Sequence, residues 1–178
     1  MRSLIEQILT LARLDPENTG QMSLIDITAL IRDMHEDYAR IAGARSIDFR
    51  VNTKDQVIVS GDLTSLTALI RNILDNAMRY TPAGGVVTLQ ISNQHSTPQI
   101  RITDSGPGIP ADIREKVFSR FFRADHAPDD TGTGLGLAIA KRAAERLGAS
   151  LQLEDGPGGA GLTVLISFPD HTDHVQAA

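Results

Sequence analysis

Helical and strand periodicities follow one another in an irregular order along this chain, and that order limits the fold more than any other feature. Strand patterns occur singly or in pairs between helical patterns, for example "SIDFRV" with "QVIVS", and "GVVTLQIS" with "QIRITD". A strictly parallel sheet requires a helix after each strand. The order therefore predicts an α+β fold rather than a strictly alternating parallel sheet.

Local signals place the helices between these strands. Asp26 is a candidate cap for a helix that ends near Gly43, and a longer helix is expected from Asp62 to Tyr80, before Pro82. A short helix is expected after Pro110, and another from the glycines of "GTGLGL" to Gly148. The last two strands, "ASLQLED" and "LTVLISF", enclose a glycine-rich turn.

The composition excludes several classes of protein. The 178 residues include no cysteine, which removes disulfide frameworks and thiolate zinc sites. Acidic residues number 22 against 17 basic ones, and no cluster of Lys and Arg is present to bind nucleic acid. No apolar run approaches the roughly 20 residues that a membrane helix needs. We expect no nucleic-acid partner and no membrane-spanning helix within these residues.

The first residues predict a helix that needs a partner. One apolar stripe contains Leu4, Ile5, Ile8, Leu11 and Ala12. Asp15-Pro16 ends the pattern, and the polar segment that follows indicates a boundary. We expect three parts: a helix at 1–16, a main domain at 17–170 and a polar tail at 171–178. An ordinary first helix that packs on its own domain remains the alternative.

A first chemical signal lies in "RNILDNAMRYTP". On a helical period, Asn72, Asn76 and Arg79 share one face, opposite an apolar one. Asparagine has poor helix propensity, so two of them in a helix interior indicate a need outside the helix. An amide oxygen suits a hard cation such as Mg²⁺, and Arg79 suits an anion beside it. The alternative is a simple solvated face.

Two glycine-rich segments are the other chemical signals. In "ITDSGPGIP" a strand ends at Asp104 and passes into a turn of little bulk; the alternative is a tight surface turn. In "GTGLGL" three glycines precede a helix start, which favours phosphate oxygens; the alternative is a flexible loop. No lysine follows Gly136 until Lys141, and the glycine spacing differs from that of a dinucleotide fingerprint. Both familiar nucleotide motifs are therefore excluded.

Taken together and in this order, the three segments resemble the catalytic ATP-binding domain of sensor histidine kinases, within the wider group that includes gyrase, Hsp90 and MutL. The resemblance covers about 21–169. It implies a two-layer α/β sandwich of the Bergerat type, with a mixed sheet covered by helices, here preceded by one helix. It also implies ATP and Mg²⁺ as cofactors.

The resemblance implies roles for single residues. The asparagine segment is similar to an N box, with Asn76 as Mg²⁺ ligand and Asn72 near the phosphates. "DSGPG" is similar to a first glycine box, in which Asp104 accepts a hydrogen bond from the adenine amino group. "GTGLGL" is similar to a second glycine box. The implied nucleotide-binding set is Asn72, Asn76, Arg79, Tyr80, Asp104, Gly106, Gly108, Gly132, Thr133, Gly134, Leu135, Gly136 and Leu137.

A fourth segment, "VFSRFFR", resembles a phenylalanine box. The resemblance implies that Phe118 and Phe121 pack at the base of a lid formed by 124–131, which the glycines would hinge. Arg120 and Arg123 are then candidate phosphate contacts. The implied catalytic residues are Asn72, Arg79, Arg120 and Arg123.

One residue separates the branches of this group. The branches that hydrolyse ATP have a glutamate four residues before the Mg²⁺-binding asparagine, where this chain has Asn72. An amide cannot act as a general base towards water. The resemblance therefore implies transfer of the γ-phosphoryl group to a histidine of a dimerisation domain, and from there to an aspartate of a response regulator. An ATP hydrolase of the gyrase, Hsp90 or MutL type and a non-catalytic interaction module remain alternatives.

The first helix is similar to the end of the second dimerisation helix in this family, which pairs into a four-helix bundle. The phosphoacceptor helix is then expected before Met1. His35 is not expected to accept phosphate, because "HEDYAR" lacks the proline of the phosphoacceptor motif and follows this helix. The resemblance implies a homodimeric parent protein that is anchored in the inner membrane only through segments outside this chain, with this region in the cytoplasm.

Overall fold

The computed structural model describes residues 4–14, 21–53, 56–94, 97–123 and 132–169. Within these residues the chain forms four α-helices and seven strands. The helices are α1 (Leu4–Arg13), α2 (Ile27–Ala44), α3 (Leu63–Tyr80) and α4 (Gly136–Arg146). The strands are β1 (Ser23–Asp26), β2 (Asp48–Thr53), β3 (Ile58–Gly61), β4 (Val86–Gln94), β5 (Thr97–Asp104), β6 (Ser150–Asp155) and β7 (Leu162–Ser167).

The main sheet is mixed, as the resemblance implies, and the order of the elements correctly excludes a strictly parallel sheet. Its five strands lie in the order β2-β4-β5-β7-β6; β2 pairs with β4 in parallel, and the other pairs are antiparallel. Strands β1 and β3 form a separate antiparallel pair. Helices α2, α3 and α4 contact β2, β5 and β6 respectively, and α3 packs against α4. The architecture is the two-layer α/β sandwich that the resemblance implies, with α1 before it.

Alternation along β5 determines which side chains reach the helical layer. Ile100 and Ile102 are buried, whereas Arg101 and Thr103, which alternate with them, are partly exposed. Successive side chains of a strand point to opposite faces, so Asp104 shares the face of the two isoleucines. The strand therefore delivers a carboxylate to the buried side of the sheet, next to the helices.

Most predicted elements are present in the structure, and the differences lie at their ends and in one short segment. Asp26 caps α2 by accepting from the Ala29 N–H at 3.0 Å. The helix continues past Gly43 to Ala44, because the Arg45 N–H still bonds to the Ala42 carbonyl. The segment after Pro110 forms two short 3₁₀ turns, 111–113 and 116–118, and not an α-helix.

Helix α1 is present and only partly packed. Leu14, just after it, is buried, Leu11 packs against the core, and the helix contacts α4. The stripe at its other end is open to solvent, and Ile5 is 70% exposed. The boundary segment 15–20 and the tail 170–178 lie outside the described residues. The assignment of 1–16 to a dimerisation unit stays a prediction.

Asp62 joins α3 to α4, so we expect its substitution to lower the stability of the fold. Its carboxylate accepts from the Thr64 and Ser65 N–H groups at 3.0 and 3.2 Å and from Arg146 Nε of α4 at 3.2 Å. Burial opposes ionisation, but these bonds prevail and hold the pKa of Asp62 below its ordinary value. We expect Asp62→Ala to lower the free energy of unfolding by about 2 kcal/mol at neutral pH.

The pH dependence of this effect follows from the direction of the pKa shift. A depressed pKa contributes stability above the unfolded-state pKa, and that contribution is lost as pH falls through the folded-state pKa. Urea denaturation should therefore show the gap between wild type and Asp62→Ala closing in acid. Asp37→Ala is the control, because Asp37 forms an exposed pair with Arg40. Equal losses for both variants would contradict the assignment.

Candidate nucleotide-binding site

The two asparagines of α3 face the start of α4. Asn72 is only 5% exposed, and its Nδ2 donates to the Ala68 carbonyl at 2.7 Å. A Cβ on Gly136 would lie 3.4 Å from Asn76 Oδ1 and 3.5 Å from Asn72 Oδ1. The two amide oxygens thus converge on one bare point of backbone. The interpretation of this helix face as merely solvated is wrong for Asn72.

The glycine segment before α4 packs closely against the rest of the site. A Cβ on Gly132 would meet Arg79 Nη1 at 2.8 Å. Gly134 has φ +69°, and its carbonyl accepts from the Phe121 N–H at 2.9 Å. A Cβ there would lie 2.7 Å from the Phe121 backbone. These glycines permit contact between backbone segments, which the flexible-loop alternative does not require.

A cavity of about 840 Å³ lies between α2, α3 and the start of α4. This volume is in the range of small-molecule and cofactor sites. Ten of the predicted site residues line it: Asn72, Asn76, Arg79, Tyr80, Arg123, Gly132, Thr133, Gly134, Gly136 and Leu137. The structure therefore brings the asparagine and second glycine segments together. The predicted lid, 124–131, lies outside the described residues.

Asp104 lies beside this cavity without lining it. Its Oδ1 accepts from the Gly106 N–H at 2.8 Å. Burial raises the pKa of the Asp104 carboxyl, although the Gly106 and Leu162 N–H groups partly oppose the shift. A Cβ on Gly106 would lie 2.8 Å from the Tyr80 carbonyl oxygen. The first glycine segment thus abuts the C-terminal end of α3, where Tyr80 lines the cavity.

Five further positions differ in their placement from what the resemblance implies. Leu135 is fully buried in the hydrophobic core, so its side chain is used in packing. Phe121 has φ +63° and is 63% exposed, because its backbone, and not its ring, packs on Gly134. Phe118 is half-buried under Lys141, whose Nζ lies 5.5 Å from the ring centroid. Arg120 is exposed and, like Gly108, does not line the cavity.

The cavity also includes residues that were not predicted. Gln7 of α1 reaches it, and its Oε1 accepts from the Thr133 hydroxyl. Phe122 lines the cavity where Phe121 was expected to pack. Tyr38 and Asp75 are hydrogen-bonded to each other at its rim. Asp75 stands inside the asparagine segment and was open to prediction; the others depend on how distant elements pack.

The residues present fit a nucleotide-borne Mg²⁺ better than a protein-only metal centre. Among the described residues, no group of three or more His, Asp or Glu side chains is placed to hold a metal ion. The amide oxygens that converge on Gly136 are hard ligands, and Mg²⁺ commonly completes its coordination with phosphates and water.

None of the helices in the described part of the chain could span a membrane.

Comparison with known proteins identifies the family. Residues 61–172, which contain the asparagine and both glycine segments, match the model described as "Histidine kinase-, DNA gyrase B-, and HSP90-like ATPase". The chain belongs to this ATPase family. A solved mycobacterial sensor histidine kinase, MprB, is 34% identical, with a TM-score of 0.72; the match covers 84% of this chain and 97% of that one. The chain is therefore a catalytic ATP-binding domain of the histidine kinase type.

Two further relatives define the extent of the match. The sensor protein kinase PmrB of Pseudomonas aeruginosa is 35% identical over 94% of this chain and 35% of its own length. The full-length histidine kinase ShkA, solved in complex with AMPPNP, is 27% identical with a TM-score of 0.80, over 93% of this chain and 35% of that one. The chain thus spans about a third of such relatives.

Proposed function

We propose that this chain binds Mg-ATP in the cavity between α2, α3 and α4 and presents the γ-phosphoryl group to a histidine of a dimerisation domain. The observation that carries the proposal is the convergence of Asn72 and Asn76 on the bare backbone of Gly136, with Arg79 against Gly132. The AMPPNP complex of the relative ShkA supports an adenine nucleotide as the ligand.

Each residue has a separate task in this proposal. Asp104 accepts a hydrogen bond from the adenine amino group, at the end of the cavity marked by Tyr80. Asn76 holds the Mg²⁺, which neutralises phosphate charge when bound. Arg79 and Arg123 contact the phosphates, and the backbone of 132–136 approaches them closely. Phosphoryl transfer needs positioning and charge stabilisation rather than covalent chemistry from the protein.

The proposed acceptor is a histidine and not water, because of Asn72. Its Nδ2 is committed to the Ala68 carbonyl, and an amide cannot remove a proton from water. Steady release of phosphate by the purified chain would support the hydrolase alternative. Failure to bind any nucleotide would support the interaction-module alternative. We further propose a response regulator as the subsequent acceptor, a homodimeric parent protein, and a cytoplasmic position for this part of it.

Asn76→Ala tests the proposed Mg²⁺ ligand. We expect the wild-type chain to bind AMPPNP more tightly with Mg²⁺ than with EDTA. In the variant the ratio of these two affinities should fall about tenfold, since an amide ligand to the cation is removed. Isothermal titration calorimetry in both buffers measures it. Asn52→Ala, on exposed β2, is the matched control. An unchanged Mg²⁺ effect in Asn76→Ala would exclude this role.

A further inference from the structure

Arg71 has a buried donor without an acceptor. Its side chain lines the cavity just before Asn72. Among the residues that the structure describes, Arg71 Nε is the buried side-chain nitrogen that lacks a hydrogen-bond partner. An unsatisfied buried donor costs about 1 to 3 kcal/mol, and more when it is charged. Such a group indicates an acceptor that a bound ligand supplies.

Asp75 is the nearest carboxylate to Arg71 along α3, but it accepts a hydrogen bond from Tyr38. Arg71 and Asp75 are four residues apart on α3, the spacing at which opposite charges usually pair. The Tyr38 hydroxyl instead donates to Asp75 Oδ1 at 2.7 Å and lies 3.3 Å from the Arg71 carbonyl oxygen. Tyr38 is buried, and its ring lies against Phe49. Tyr38 of α2 thus engages one carboxylate oxygen of Asp75, and no ion pair joins Asp75 to Arg71 among the described residues.

The position of Arg71 along α3 corresponds to the outer end of the nucleotide. If adenine lies at Asp104, beside Tyr80, the Mg²⁺ ligand Asn76 is one turn further towards the helix start, about 6 Å away at 1.5 Å per residue. Asn72 and Arg71 follow one turn beyond, at about the same spacing. A phosphate chain that runs from adenine along α3 past Asn76 would bring its last phosphate to the level of Arg71.

We propose that Arg71 binds the terminal phosphate of ATP, and that Tyr38 makes it available by engaging Asp75. This proposal rests on the proposed function and adds a residue that distinguishes a nucleoside triphosphate from a diphosphate. Arg71 is the nucleotide-contacting residue, and Tyr38 is a positioning residue that acts through Asp75.

Arg71→Met tests the contact. We expect the affinity for Mg-AMPPNP to fall about tenfold while that for Mg-ADP changes by less than about twofold, since only the triphosphate reaches the arginine. Arg71→Lys, which keeps the charge but lacks the Nε–H, should give an intermediate loss for AMPPNP and none for ADP. Calorimetry measures the affinities, and thermal unfolding checks that the variants fold.

Arg40→Met is the matched control for charge. Arg40 lines the same cavity, but its guanidinium is paired with Asp37 at 2.6 Å. Its loss removes the same charge without removing an unpaired donor. We expect both nucleotide affinities to change by less than about twofold.

Tyr38→Phe and its rescue test the positioning role. The variant keeps the ring but frees Asp75 to pair with Arg71, so AMPPNP affinity should fall about threefold or more with ADP affinity unchanged. Adding Asp75→Asn removes the competing charge and should restore AMPPNP binding. A merely structural tyrosine would affect both nucleotides, and the second substitution would not repair it.

The outcomes separate this inference from the proposed function. Equal losses of AMPPNP and ADP affinity in Arg71→Met, or no loss, would overturn the inference and leave the nucleotide site intact. Failure of the double variant to recover AMPPNP binding would overturn the role of Tyr38. A wild-type chain that binds neither nucleotide would overturn the proposed function itself.

Discussion

Replacing Gly161 with alanine is expected to cost about 3 kcal/mol or more of unfolding free energy and to weaken nucleotide binding. Gly161 has φ +81°, which alone costs an L-residue roughly 1 to 2 kcal/mol. A Cβ there would overlap the carbonyl oxygen of Asp104. A Cβ is fixed rigidly to its backbone and the carbonyl oxygen is itself backbone, so no side-chain rotation can relieve the overlap. The strand end that carries Asp104 must therefore move. Urea denaturation and AMPPNP titration measure the two effects.

Gly158→Ala is the matched control for this substitution. Gly158 lies in the same turn with a similar φ of +74°, but no atom lies within 4 Å of the added Cβ. The backbone conformation is penalised in both variants, and the overlap occurs in one alone. We expect the control to lose about 1 kcal/mol with unchanged nucleotide affinity. Indistinguishable variants would show that the close approach to Asp104 is unimportant.

Asp104→Asn is expected to lower nucleotide affinity about 100-fold with little loss of folded structure. The carboxylate accepts from Gly106 and, in the proposed complex, from the adenine amino group. Asparagine adds a donor, so one of these contacts would face N–H against N–H in a buried site, which costs a few kcal/mol. Calorimetry with Mg-ADP measures the loss. Asp155→Asn is the control, since Asp155 ends strand β6 in an exposed pair with Arg114.

The same carboxyl predicts how binding depends on pH. Burial raises the pKa of Asp104 above the ordinary value of 3.8, so it protonates at a higher pH than an exposed aspartate does. Adenine binding requires the ionised form. Affinity should therefore fall on acidification through this raised pKa, before exposed carboxylates titrate. Persistence of wild-type affinity down to the ordinary aspartate range would contradict the assigned role of Asp104.

Local rules explain which features the sequence predicts well. Asp26 is recognisable as a cap because its carboxylate accepts from a backbone N–H three residues away. The helix start near Asp62 is predicted equally well, and there the carboxylate accepts from N–H groups two and three residues away. The end of β5 at Asp104 is predicted correctly because the turn-forming residues follow it directly in the sequence. The asparagines are detectable because helix propensity disfavours them. Each inference uses neighbours in the chain, and the short range of the physics makes it reliable.

The remaining features depend on packing between distant elements. Leu135 lies among glycines in the sequence, yet the docking of α4 on α3 buries it. Phe121 and Phe122 are chemically alike, and only the contact with Gly134 decides that the second faces the cavity. Tyr38 reads as an ordinary core residue until α2 is placed beside Asp75. Sequence periodicity contains no information about these contacts.

The hydrogen bond between Gln7 and Thr133 connects the leading helix with the segment that frames the cavity. Coupling between two sites is reciprocal in free energy. If a ligand displaces Thr133 and so weakens the packing of α1, then moving α1 away from Thr133 changes the binding free energy of that ligand by the same amount. A bend or rotation of α1 would then change the fraction of cavities that hold a ligand, and ligand binding would change the orientation of α1. The Gln7 side-chain amide is the group that couples the two changes.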